Sequence, residues 1–169
     1  MPRHIRAERP EDIAAIRAVN LAAFDTATEA DLIEALRLRA RPLVSMVAED
    51  AGAIVGHILF SPVTLLPHPE LPIMGLAPMA VLPASQRQGI GSALVREGLE
   101  LCRQLWFAAV VVLGHAEFYP RFGFVPASRF ALKCEYDVPD EVFMALELRQ
   151  AILRGKSGTI RYHAAFSGI

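Results

Sequence analysis

The feature that most constrains this chain is a junction at Pro83. Before it, Met79 to Leu82 is an apolar run of strand character. After it come the polar residues Ser85 to Gln88, and then Gly89 and Gly91 spaced i, i+2. From Ile90 onward the apolar residues recur at Ile90, Leu94, Gly98, Leu101 and Leu105, with Arg96, Glu100 and Arg103 on the opposite side. That periodicity is the signature of an amphipathic helix packed on a sheet. The stretch therefore reads strand, loop, helix.

Such a junction is suited to binding an anion. The first N–H groups of a helix have no intrahelical partner, and the aligned peptide dipoles leave partial positive charge at that end. Glycine at 89 and 91 removes the Cβ atoms that would hold a phosphate away from Ile90 and Ser92, while Gln86, Arg87 and Gln88 add side-chain donors. A pyrophosphate is the expected guest. A Walker loop is excluded because Ser92 follows Gly91 with no lysine between them. A dinucleotide fingerprint is excluded because position 94, where its third glycine belongs, is Leu.

The pattern Gln86-x-x-Gly89-x-Gly91, after a strand ending in Val81-x-Pro83 and before an amphipathic helix, resembles the acyl-CoA motif of the GNAT family of N-acetyltransferases. A second segment, Phe118-Tyr119-Pro120-Arg121-Phe122-Gly123-Phe124, is similar to the family's Tyr-x-x-x-Gly-Phe segment after the next strand. The likeness is closest to the small bacterial YhbS-like group, through Gly75 to Val81, Ala109 to Gly114 and Tyr162 to Phe166. Activity class transfers from such a group better than substrate does.

The resemblance implies a fold and a site. The fold is α/β of the α+β type, a mixed central sheet of about seven strands flanked by helices, with two splayed parallel central strands at Gly75–Leu82 and Ala108–Leu113. An acyl-CoA arm pairs with free backbone near Met79, Ala80 and Val81, as an added strand would, and Gly114 and Phe118 complete the cofactor-binding set. An N–H of Ala80 or Val81 is the implied oxyanion donor, and Tyr119 the implied proton donor to the leaving thiolate. Many members carry a glutamate on the central strand, but Ile73 to Val81 contains no carboxylate. His57, His115, Glu49 and Glu117 remain as candidate bases, with His115 best placed at the end of the splayed strand. The loops holding Asp25 with Glu29, and Glu135, Asp137, Asp140 and Glu141, are expected to wall the acceptor site.

The expected activity is acetyl-CoA-dependent acetylation of a primary amine by direct transfer in a ternary complex, without metal. The alternative is a non-catalytic acyl-CoA-binding module. Residues 1–169, 53% of them apolar, suffice for one domain with a substantial core. A net charge of −1 argues against nucleic acid or an anionic membrane as partner. Trp106–Leu113, the most apolar run, is far shorter than a membrane span. Cys102 and Cys134 lack metal-site spacing, and Met1 to His4 leads straight into structured sequence with no secretory signal. A cytoplasmic protein with reduced thiols is expected. Its oligomeric state stays open, a homodimer among the options.

Along the rest of the chain, Ile5–Ala7 reads as a first strand and Pro10 as a helix start. A second helix covers Thr28–Arg39. Leu43–Glu49 and Ile54–Leu65 form a hairpin about Asp50-Ala51-Gly52. Pro62, Pro67, Pro69 and Pro72 predict a stiff loop, and Gly75 with Pro78 predicts a bulge or bend in the strand Ile73–Leu82. A short helix is expected over 116–122, strands over 131–135, 143–148 and 159–162, and a helical turn over 150–153.

Overall fold

The computed structural model describes residues 3–168. Met1 and Pro2, in the segment read as leading straight into structure, lie outside the described residues. The chain runs through β1 (His4–Ala7), α1 (Ile13–Ala23), α2 (Thr28–Arg39), β2 (Val44–Asp50), β3 (Ala53–Leu66) and β4 (Ile73–Val81). It continues through α3 (Ile90–Gln104), β5 (Ala109–Leu113), β6 (Val125–Pro126), β7 (Leu132–Cys134), β8 (Phe143–Glu147) and β9 (Gly158–Arg161). Seven strands pair in the order β1-β2-β3-β4-β5-β8-β6, as the expected mixed sheet. Two more extend it: β9 pairs antiparallel with the far end of β3 at Thr64–Leu66, and β7 pairs parallel with β9.

Strand alternation divides the core into two faces. Val44, Met46 and Ala48 on β2, with Ile58 and Phe60 on β3, pack beneath Ile90, Leu94 and Val95 of α3. The intervening Val47 and Leu59 meet Ile16, Leu32, Ile33 and Leu36 of α1 and α2. Gly98 lets α3 settle closely, since a Cβ there would lie 2.4 Å from Phe60 Cε1.

Several expectations need correcting. The buried stripe of α3 is Ile90, Leu94, Val95, Gly98, Leu99 and Cys102, whereas Leu105 is 54% exposed. Leu105 follows the last helical turn, and Trp106 leaves it at φ 69° to lie under Arg149 instead of in the core. Pro10 begins a 3₁₀ turn, with the α-helix starting at Ile13. The helix expected over 116–122 is a 3₁₀ turn, Tyr119–Phe122, ended by Gly123 at φ 101°. Residues 150–153 form turns, not helix. Pro62 lies within β3 opposite Met74, so the stiff loop is confined to residues 67–72. The predicted bulge is present: Ile58 faces Met79 while Phe60 faces Leu76, leaving an extra residue on β4 at Ala77-Pro78.

Candidate active site

The parallel pairing of β4 with β5 covers Ile73–Gly75 against Ala109–Val111 and stops there. β4 runs on to Val81 held by β3 alone, while β5 ends at Leu113 held by β8. Leu76 to Val81 therefore present an open edge to the gap. The alternation of an antiparallel ladder decides which backbone groups point into it. Leu82 N–H donates to Val55 O at 2.8 Å, so Leu82 faces β3 and Ala80, two residues back, faces β3 as well. Met79 and Val81 turn their N–H groups to the open edge. Of the two expected oxyanion donors, Val81 turns its N–H to the open edge and Ala80 turns its own toward β3.

The N-terminus of α3 closes one end of this gap. The first α-helical bond there is Ala93 N–H to Gly89 O at 3.0 Å, which leaves the N–H groups of Ile90, Gly91 and Ser92 ahead of it without intrahelical partners. Gly89 caps the helix at φ 82°, a left-handed conformation natural to glycine, and a Cβ there would meet nothing within 4 Å. The backbone conformation alone is a reason for glycine at this position. A Cβ at Gly91 would sit 3.5 Å from Met79 Cε and 3.9 Å from Phe118 Cζ, so Gly91, Met79 and Phe118 converge where helix end and open strand meet. These free donors fit a pyrophosphate with its arm laid along β4.

The side chains around the loop have other tasks. Gln86 Nε2 donates to Val81 O at 3.1 Å and ties the loop back to the strand end. Gln88 receives Arg3 on both its backbone oxygen and Oε1, at 3.0 and 2.8 Å. Arg87 is exposed at φ 63°. The Ile90 side chain is buried beneath Gly56, so only its backbone can serve a ligand.

A cavity of about 380 Å³ lies across the gap. β4 contributes Leu76 to Met79, the end of β5 contributes Leu113 to His115, and Tyr119 supplies the ring between them. Phe24, Glu29 and Leu32 wall it from the α1–α2 side, with Phe166 from the C-terminal turn. Tyr119 is 7% exposed and packs edge-on against Phe118 at 5.0 Å and Phe124 at 5.7 Å. Burial pushes its phenol up to about 12, so it holds its proton across the physiological range. Gly114, expected to touch cofactor, acts on Tyr119: a Cβ at 114 would lie 2.4 Å from Tyr119 Cε2. A larger concavity of about 590 Å³ near Ser128–Ala131 and Gln150–Gly155 contains none of these residues.

Of the four candidate bases, His115 alone lines the cavity, and its carbonyl also accepts Phe118 N–H at 3.1 Å. Glu117 is exposed outside the lining, and Glu49 is bound to Arg6 at 2.9 Å. His57 is fully buried on the α1–α2 face. Asn20 Nδ2 approaches its Nδ1 at 3.5 Å, and its Nε2 lies 2.8 Å from Ser45 Oγ. An amide nitrogen can only donate, so Nδ1 accepts, Nε2–H donates to Ser45, and Ser45 donates to Glu8. Burial lowers His57 to about 4, with Glu8 pulling up and Arg37 pushing down. It is a structural histidine. Asp25 stays exposed, while Glu29, read only as part of an acidic loop, enters the cavity.

Comparison with known proteins agrees with this geometry. The acetyltransferase (GNAT) domain family matches residues 42–126, from β2 through the Phe-Gly-Phe turn. The uncharacterized N-acetyltransferase YhbS of Escherichia coli K12 is 35% identical over 164 residues, covering 96% of this chain and 98% of that protein. The chain belongs to the GNAT family.

Two GNAT crystal structures extend the match to three dimensions. YhbS from Escherichia coli in complex with CoA superposes with a TM-score of 0.92 at 34% identity, covering 98% of this chain and 92% of that one. A GNAT acetyltransferase from Brucella melitensis in complex with acetyl-CoA gives 0.80 at 37% identity, covering 98% of both chains. GNAT membership makes the protein an acyltransferase with the mixed sheet and parallel β4–β5 pair described above. Among the described residues, no helix is long and apolar enough to cross a membrane.

Proposed function

We propose that residues 1–169 act as one N-acetyltransferase domain that moves the acetyl group of acetyl-CoA directly to a primary amine, both substrates being bound together. The observation that carries this reading is the β4 edge left open beyond Gly75, running from the free N–H groups of α3 to the cavity beside Tyr119. Crystal complexes of the two relatives with CoA and acetyl-CoA support the cosubstrate.

The bound thioester supplies an activated acyl group. Val81 N–H, which faces the open edge of β4, is the proposed donor to negative charge developing on the acyl oxygen, which is where a preorganised donor contributes most. Tyr119 keeps its proton and gives a hydrogen bond to the departing sulfur. Full transfer from a phenol near 12 to an ordinary thiolate is uphill by about 3 pK units. The phenol therefore works best while the attacking nitrogen, now acidic, replaces the proton that passes to sulfur. The amine loses one N–H, the thiol gains one S–H, and the balance closes. His115, which lines the cavity, is the proposed base for the earlier proton that separates ammonium from nucleophile.

The absence of a carboxylate on β4 favours a second reading, an acyl-CoA-binding module without catalysis. The buried phenol of Tyr119 counts against it. Thermal unfolding tests the shared part: CoA and acetyl-CoA raise the melting temperature, NAD and ATP do not, and Gly91→Glu abolishes the shift. An unchanged shift in folded Gly91→Glu would put the pyrophosphate elsewhere. Release of thiol from acetyl-CoA across an amine panel separates enzyme from binding module.

A further inference from the structure

We infer that Arg3 is a positioning residue for the acyl-CoA site: its guanidinium holds the Gln86–Gly91 loop in the conformation that presents the free N–H groups of α3 to the cosubstrate's pyrophosphate. The inference rests on the acetyltransferase reading above. Arg3 Nη1 donates to the Gln88 backbone oxygen at 3.0 Å and Nη2 donates to Gln88 Oε1 at 2.8 Å, joining residues 85 positions apart in the chain.

The loop has little else to hold it. Arg87 at φ 63° and Gly89 at φ 82° are both left-handed, a conformation that is unfavourable for a residue with a Cβ and persists only where the surroundings maintain it. Residues 86–89 are all exposed, so packing does not maintain it. The other hydrogen bonds are short-range: Ser85 N–H to Leu82 O, Gln86 N–H to Pro83 O, Gln86 Nε2 to Val81 O and Gln88 Nε2 to Ala84 O. They tie the loop to itself and to the end of β4. Among the described residues, Arg3 alone reaches residues 83–89 with a hydrogen bond from outside 81–93.

Arg3 is itself anchored. It directly precedes β1, where His4 pairs with Glu49 and Ile5 packs against the core beneath α3. Its Nη2 also lies 3.6 Å from Asp50 Oδ2 in the β2–β3 hairpin, so the guanidinium bridges hairpin and loop. A planar fork can grip two oxygens of one residue at fixed geometry, which a lysine ammonium does not reproduce. A trans peptide directs its C=O and N–H oppositely. Fixing Gln88 O therefore also fixes the direction of Gly89 N–H, immediately ahead of the free donors of Ile90, Gly91 and Ser92.

The test is calorimetric titration of CoA at pH 7 into wild type, Arg3→Ala, Arg3→Lys, Gln88→Ala and the double variant Arg3→Ala/Gln88→Ala, with melting temperatures measured without ligand. Arg3→Ala should weaken CoA binding about three- to tenfold, as expected for charge-assisted hydrogen bonds at an exposed site. The ligand-free melting temperature should stay within about 2 °C of wild type. Arg3→Lys, which keeps the charge and loses the fork, should bind CoA more weakly than wild type. The double variant should lose little more than Arg3→Ala alone. In the thiol-release assay the loss should fall on KM for acetyl-CoA, not on kcat. Wild-type CoA affinity in Arg3→Ala overturns the inference, as does a loss confined to kcat. Wild-type affinity in Arg3→Lys would reduce the effect to charge alone, and fully additive losses in the double variant would mean Arg3 does not act through Gln88; either overturns it too. A large fall in ligand-free melting temperature would make Arg3 a support of the fold instead. All of these outcomes presuppose CoA binding by wild type; failure of wild type to bind CoA removes the acetyltransferase reading and the inference with it.

Discussion

Gly114→Ala adds one methyl group where the structure has no room for it. The new Cβ lies 2.4 Å from Tyr119 Cε2, 3.0 Å from Cδ2 and 3.4 Å from Cζ, so the ring must retreat by about 1 Å to reach ordinary contact. Phe118 and Phe124 block the retreat at centroid distances of 5.0 and 5.7 Å, and Phe124 is itself 2% exposed. Overpacking of this kind costs about 1–3 kcal/mol, a fall of roughly 2–12 °C in melting temperature for a chain of this size. A displacement of about 1 Å at a reacting group lowers turnover by about 10²-fold. CoA should still raise the melting temperature, because the N-terminus of α3 is untouched. Activity is read as thiol release from acetyl-CoA with the best amine found. The double variant Gly114→Ala/Tyr119→Phe should lose little more than the worse single variant, since both act through one hydroxyl. Wild-type stability and turnover in Gly114→Ala would refute the packing argument, and fully additive losses would refute the claim that Gly114 works through Tyr119.

Tyr119→Phe keeps the ring contacts and removes the donor, so single-turnover rates should fall by about 10² to 10⁴ with CoA affinity little changed; equal loss of both would make the tyrosine a wall of the cofactor site. His57 is held neutral by burial, with a pKa near 4 against an ordinary 6.5. An unfolded chain binds its proton first as pH falls, so the stability tied to neutral His57 is full above about pH 6.5. It declines through the interval down to about 4, by roughly 3 kcal/mol in all. Denaturant unfolding of wild type against His57→Gln across that interval should isolate this slope, and parallel pH profiles would mean His57 charges without penalty.

The junction at Pro83 was legible because several local signals coincide: a proline ends the strand, Gly89 supplies a left-handed cap, and Ile90 starts the helical stripe. Fold class followed from the family resemblance carried by this stretch and by Phe118–Phe124. Periodicity misplaced Leu105, because a helical stripe does not announce where the helix stops. It could not separate Ala80 from Val81 either, since that choice depends on which residues face β3, a property of register. Gly114 was read as part of the cofactor-binding set, and its packing against Tyr119 is a tertiary contact that the sequence does not display. Glu29 was read as one acid of a loop expected to wall the acceptor site. Its cavity is built from α1, α2, β4, the end of β5 and Phe166, segments far apart in the chain, and only folding brings them together.

The most direct measurement of the central claim is mass-spectrometric detection of N-acetylated n-hexylamine alongside released thiol, with acetyl-CoA and amine both saturating. Product and thiol should appear in equal amounts, abolished by Gly91→Glu and depressed by Tyr119→Phe. CoA binding without any acetylated product across hexylamine and a panel of other primary amines would contradict that claim, and would leave an acyl-CoA-binding protein.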